Sequence, residues 1–114
     1  VSLFIDADPR QIEAAVDIGA PVVEIHTGHY ADAKSPGAVR DTLARITDAV
    51  ARGRQAGLQV NAGHGLDYHN IRAVAATEGI VEFNIGHSII SRAVFSGLHR
   101  AVADMKRLLQ PGMS

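Results

Sequence analysis

Apolar and polar positions in this chain switch between a period of two and a period near three and a half, and the switch occurs four times. Ser2-Leu3-Phe4-Ile5-Asp6 alternates over the length of a strand. Asp8-Pro9 follows: an acceptor for a first-turn N–H, then a proline at the first helical position, with Gln11 where a capping box reaches back. Ile12, Ala15 and Val16 make the apolar stripe of that helix, and Gly19 closes it. The second unit is strand Val22 to His26, a longer connection, and a helix from about Ser35-Pro36. In it Val39, Leu43, Ile46 and Val50 recur on one face, and Gly57 ends it. The third is strand Leu58 to Asn61, a glycine-bracketed loop, and a helix from about Asp67 to Ala76. The fourth is strand Glu82 to Ile85, the loop Gly86-His87-Ser88, and a helical tail to about Leu109, broken near Ser96-Gly97. Gln110 to Ser114 reads as a frayed end.

Four strand-then-helix units predict an α/β fold with parallel strands and right-handed crossovers. In a doubly wound sheet both faces are covered, and strands are apolar throughout. These strands alternate instead. Leu3, Ile5, Val23, Ile25, Val60, Phe83 and Ile85 belong to one face, which should meet the helices. Asp6, Glu24, His26, Gln59, Asn61, Glu82 and Asn84 belong to the other. A face that polar suits the lumen of an enzyme barrel, where networks and ligand satisfy it. An open sheet with one wet face is the alternative. A (β/α)8 TIM barrel needs eight units and about 250 residues. Residues 1–114 therefore read as one half-barrel domain of four βα units.

Composition narrows the function. The 114 residues are 46% apolar and 20% charged, an ordinary globular balance. The net charge of -1 leaves no basic excess for a nucleic-acid backbone. There are no cysteines, which excludes disulfide scaffolds and thiol nucleophiles. No apolar run approaches a membrane span, and no basic-then-apolar leader opens the chain, so a soluble, cytoplasmic protein is expected. The chain begins in strand-like sequence without an initiator Met and is expected to be a piece of something longer.

In a barrel, chemistry sits at the C-terminal ends of the strands. Asp6, His26-Thr27, Asn61 to Gly65 and Asn84 to His87 all lie there. In Gly63-His64-Gly65 two glycines free backbone N–H groups around a histidine that can carry a proton near neutral pH; a tight turn with an exposed His is the plainer reading. Gly86-His87-Ser88 precedes a short helix, as in the phosphate sites of many TIM barrels, although a simple N-cap by Ser88 is also possible. Glu24, mid-strand on the polar face, must be paired or protonated, and spacing alone makes it structural first. Tyr30 and Tyr68 either touch ligand or pack under loops. His29, His69 and His99 read as surface or packing residues, and no His/Asp/Glu set has clear metal spacing.

Val1 to Asp8, Glu24-Ile25-His26-Thr27-Gly28 with Tyr30-Ala31, Val60 to Leu66 with Tyr68-His69-Asn70, Asn84-Ile85-Gly86-His87 with Ile89-Ile90, and Ala101 to Leu108 closely resemble the pyridoxine 5′-phosphate synthases, in order and over nearly the whole chain. The resemblance is to the C-terminal half of that family's barrel. It implies a TIM barrel that condenses 1-deoxy-D-xylulose 5-phosphate with 3-amino-2-oxopropyl phosphate. The products are pyridoxine 5′-phosphate, phosphate and water; no metal or organic cofactor takes part, and the enzyme is a homo-octamer. Carried over by motif, His64 is the general acid, Glu24 stabilises charge in the transition state, and Gly65, Gly86 and His87 bind the amino-ketone phosphate. The family's first-half motifs, an Asn-x-Asp-His segment, a catalytic His with nearby arginines and a catalytic Glu, are not in this sequence. A chain of this sequence alone is thus expected not to complete the reaction. The alternative is a non-catalytic half-barrel that binds phosphate ligands or assembles with itself.

Overall fold

A computed structural model describes residues 2–109, with all side chains in that span but those of Ser2 and His87. Each alternating segment forms a strand: β1 (Ser2–Ile5), β2 (Val22–His26), β3 (Gln59–Gly63) and β4 (Ile80–Asn84). Between and after them lie α1 (Pro9–Asp17), α2 (Gly28–Asp32), α3 (Pro36–Gln55), α4 (Ile71–Ala75), α5 (His87–Ser96) and α6 (Leu98–Leu108). The strands form one parallel sheet in chain order, β1-β2-β3-β4. The expected fraying of Gln110 to Ser114 lies outside the described residues.

The caps explain where the helices begin. The Asp8 carboxylate accepts from the Arg10 N–H at 2.9 Å, with Pro9 in the first helical position. Ser35 Oγ accepts from the Ala38 N–H at 3.1 Å and opens α3. Gln11 departs from the capping box. Its Oε1 accepts from the Asp6 N–H at 2.7 Å, so it braces the end of β1 instead of the cap residue.

The two sheet faces divide as the alternation predicts. Val23, Ile25 and Val60 are fully buried against Ile12, Ile46, Val50, Ile71, Val74 and Met105, with Leu3 and Phe83 packed at the margin of this core. Each such aliphatic side chain contributes about 1.5–3 kcal/mol on burial. The opposite face carries no helix layer: register pairs Phe4 with Glu24 and Glu24 with Asn61, and Phe4 is 69% exposed there. Among the described residues the helices lie on one side of the sheet, the arrangement of half a barrel. The result is a four-stranded parallel α/β layer covered on one side, with β1 and β4 at its edges.

Three local expectations are corrected. The segment after the third strand loop is not helical from Asp67; its carboxylate accepts from the His69 and Asn70 N–H groups at 2.8 Å, making a turn, and α4 starts at Ile71. A short helix, α2, occupies the long connection after β2. In β4 the pairing shifts: Val60 faces Ile80 and Ala62 faces Phe83, so two steps on β3 oppose three on β4, and β4 begins earlier than its alternation implies. The break before Gly97 falls where expected, between α5 and α6. Among the described residues no helix is long and apolar enough to cross a membrane.

Candidate functional site

His26, Gly63 and Asn84 are register partners across the last three strands, so the polar ends of β2, β3 and β4 meet in one row. Glu24 lies one step below, 7% exposed, and accepts a hydrogen bond on Oε1 from the Asn84 side-chain amide. The two side chains meet across β3 because the residue between them is glycine. A Cβ on Gly63 would sit 2.9 Å from Glu24 Oε2 and 3.0 Å from Asn84 Cβ. Asn61, also buried, donates to Glu82 Oε2 at 3.4 Å and accepts from Gln59 Nε2 at 3.3 Å. The face thus carries a buried carboxylate with an amide donor and a second polar chain beside it.

His64 follows directly. It has φ 92, the one described non-glycine residue in left-handed conformation, which costs about 1–3 kcal/mol unless the surroundings impose it. They do. Thr27 is fully buried, and its Oγ1 lies 2.8 Å from the Gly63 carbonyl and 2.7 Å from the His64 carbonyl, sharing its proton between them. The Thr27 N–H also donates to Gly63 O at 2.8 Å. From the other side Asn70 Nδ2 donates to Gly65 O at 3.1 Å. The His64 ring, exposed, stacks on His26 with centroids 4.3 Å apart and planes at 23°. His26 Nδ1 in turn accepts from the Gly28 N–H at 3.3 Å, which puts the proton of the neutral ring on Nε2.

Gly65 is glycine for two reasons inside the fold. Its φ is 73, and a Cβ there would come within 2.6 Å of the Ala31 methyl on α2. Gly86 differs: nothing lies within 4 Å of the position its Cβ would take. Gly86 caps α5, and among the described residues no side chain makes a cap hydrogen bond to the first turn. The helix opens at His87, not at Ser88; the side chain of His87 lies outside the described residues. Ser88 does not cap. Its hydroxyl donates to Leu66 O at 3.0 Å and ties the β4 loop to the β3 loop.

Between the two loops opens a cleft of about 820 Å³, framed by Glu24, His64, Gly65, Asn84, Gly86 and Arg92 among others. That is the size range of small-molecule sites. Sequence reasoning passed over Arg92, although it stands four residues after Ser88 and therefore on the same face of α5. Its guanidinium carbon lies 4.0 Å from the centre of the Tyr68 ring. Tyr68 and His69 line the cleft as well. Tyr30 does not: it is buried, its hydroxyl donates to the Asn70 carbonyl at 2.5 Å, and it braces the turn that holds Gly65. Burial, and then the charge of Asp67, push its phenol above the ordinary value. Among the described residues no group of three or more His, Cys, Asp or Glu side chains is placed to hold a metal ion.

Residues 1–111 match the family model described as pyridoxal phosphate biosynthesis protein PdxJ. The chain belongs to the PdxJ family. The match runs through every element of the cleft, from β1 to α6. Membership ties this chain to vitamin B6 biosynthesis, in a family of pyridoxine 5′-phosphate synthases that act on phosphorylated small molecules. The PdxJ match and the parallel sheet agree with the resemblance drawn from the strand-end motifs.

Proposed function

We propose that this PdxJ chain forms the C-terminal half of a (β/α)8 barrel and supplies the amino-ketone side of its active site. In this reading the enzyme condenses 1-deoxy-D-xylulose 5-phosphate with 3-amino-2-oxopropyl phosphate to pyridoxine 5′-phosphate, phosphate and water. The phosphate of the amino ketone lies between Gly65 and Gly86, at the N-terminus of α5, with His87 beside it. His64 donates the proton, and Glu24 stabilises the positive charge that develops as the carbon–nitrogen bond forms. Deoxyxylulose phosphate is held by the other half of the barrel, whose strands pair with the free edges of β1 and β4. A homo-oligomeric, cytoplasmic enzyme goes with that role.

The observation that carries the reading is the open cap of α5. Among the described residues no side chain caps it, and beyond its chain neighbours nothing lies within 4 Å of where a Cβ of Gly86 would stand. A helix end of this kind favours an anion through both its free donors and its dipole. Glu24 supports the second half of the reading, since the Asn84 amide fixes its carboxylate on the cleft side of the sheet.

The test is a calorimetric titration of inorganic phosphate into the wild-type chain and Gly86→Val. The valine enters open space, so the fold is kept while the anion position is filled. Binding by the wild type and its loss in Gly86→Val are expected. Equal binding by both proteins overturns the assignment. Phosphate binding by a chain that yields no pyridoxine 5′-phosphate when the complete barrel is assembled would instead select the non-catalytic half-barrel.

A further inference from the structure

A helix terminus offers a phosphate dianion the equivalent of only about half an elementary charge, so a side-chain cation beside it would add to the binding. Among the described residues that line the cleft, Arg92 is the only lysine or arginine. Nothing in the sequence motifs drew attention to it. Its surroundings fix it in place. The guanidinium lies over the Tyr68 ring, and that ring is itself held by a hydrogen bond from its hydroxyl to the Ala101 carbonyl at 2.6 Å. One terminal nitrogen is 3.4 Å from Asp104 Oδ2. Asp104 is shared, because Arg107 approaches its other oxygen at 3.7 Å. One carboxylate between two guanidinium groups leaves net positive charge at that cluster, while the Glu24 and Asp67 carboxylates also line the cleft. A guanidinium has five N–H donors, so contact with Asp104 leaves others available to a ligand in the cleft that Arg92 lines. A cation stacked on an aromatic and tethered at one nitrogen is already oriented, and so gives up little freedom when it binds.

We infer that Arg92 is the side-chain cation that binds the phosphate group of the substrate in this cleft, acting with the α5 N-terminus. The inference rests on the phosphate reading above. Its ligand class is a phosphate monoester in dianionic form, which a planar guanidinium meets with two parallel hydrogen bonds. A purely structural role, as a clip between α5, α6 and the β3 loop, makes a different prediction. It would change melting temperature without changing phosphate affinity.

Inorganic phosphate titrations of wild type, Gly86→Val, Arg92→Met and Arg92→Lys decide the matter, with melting temperatures measured with and without phosphate. Arg92→Met should weaken binding by about 10- to 100-fold, the range for a lost charge-assisted hydrogen-bonding group. Arg92→Lys should fall between, since it keeps the charge and loses the fork. Phosphate should raise the melting temperature of wild type and not that of Arg92→Met. If wild type binds, Gly86→Val does not, and Arg92→Met binds as wild type does, the Arg92 assignment is wrong and the phosphate site stands. If wild type fails to bind, the phosphate reading falls and Arg92 falls with it.

Discussion

The two Gly-His loops of this PdxJ chain look alike in sequence and are built on different physics. In the β3 loop each glycine is demanded from within: Gly63 by the Glu24 and Asn84 side chains on either side of it, Gly65 by a left-handed backbone and the Ala31 methyl. The histidine between them is held in a strained conformation by Thr27 from one side and steadied at Gly65 by Asn70 from the other. In the β4 loop nothing in the fold requires Gly86, whose φ of -126 suits any residue. The difference separates two uses of glycine. One fixes a side chain in a position it would not otherwise take, which suits the proton-donating role proposed for His64. The other leaves a space open, which suits the anion proposed to bind there.

The sharpest way to break this comparison is His64→Ala. In the complete enzyme, turnover should fall about 10²–10⁴-fold for a lost general acid, while phosphate binding to the chain stays as in wild type. Steady-state assays of the complete enzyme, set beside phosphate calorimetry on the chain, read both quantities. Loss of phosphate binding in His64→Ala as complete as in Gly86→Val would show that the His64 side chain belongs to the phosphate site and not to a separate proton-donating role.

A smaller effect separates the glycines by stability. Gly65→Ala puts a methyl against Ala31 at a positive φ and should cost about 1–3 kcal/mol. Gly86→Ala changes only a helix cap and should cost under about 1 kcal/mol. Denaturant melts of the two variants measure the difference. Equal losses would mean that the β3 loop is no more constrained than the β4 loop.

Much of this was readable from the chain, and the exceptions have physical reasons. The division of Leu3, Val23, Val60 and Phe83 from Glu24, Asn61 and Asn84 follows from a strand's period of two, which needs no tertiary information. Asp67 misled because an aspartate that closes a turn and one that caps a helix accept the same kind of N–H bond. The five-residue α2 is too short to carry a periodic stripe, and it is tied to Gly63 and His64 through Thr27, a contact 36 residues away in sequence. The closeness of α2 is also why Gly65 reads ambiguously: one sequence feature serves ligand approach or helix approach equally. Arg92 escaped because its meaning lies in Tyr68 and Asp104, which come from other elements.

The finest probe of the comparison is Tyr30, which is linked to the β3 loop through Asn70. Its hydroxyl donates to the Asn70 carbonyl, and the Asn70 amide donates to Gly65, so Tyr30 supports the His64 turn at one remove. Tyr30→Phe should cost about 0.5–1.5 kcal/mol, the net contribution of one hydrogen bond. The pH dependence has a fixed sign. Burial and the Asp67 charge raise the folded phenol above its unfolded value of 10.0. The folded state therefore holds the phenolic proton more tightly than the unfolded state does. Its contribution is fully present below about pH 10 and is lost as pH climbs through the raised folded value. Wild type should lose stability across that alkaline window, and Tyr30→Phe should lose less. Denaturant melts between neutral pH and the alkaline range give both curves. Parallel curves would show that the Tyr30 phenol is not held by the Asn70 turn, and the internal bracing assigned to the β3 loop would rest on Thr27 and Asn70 alone.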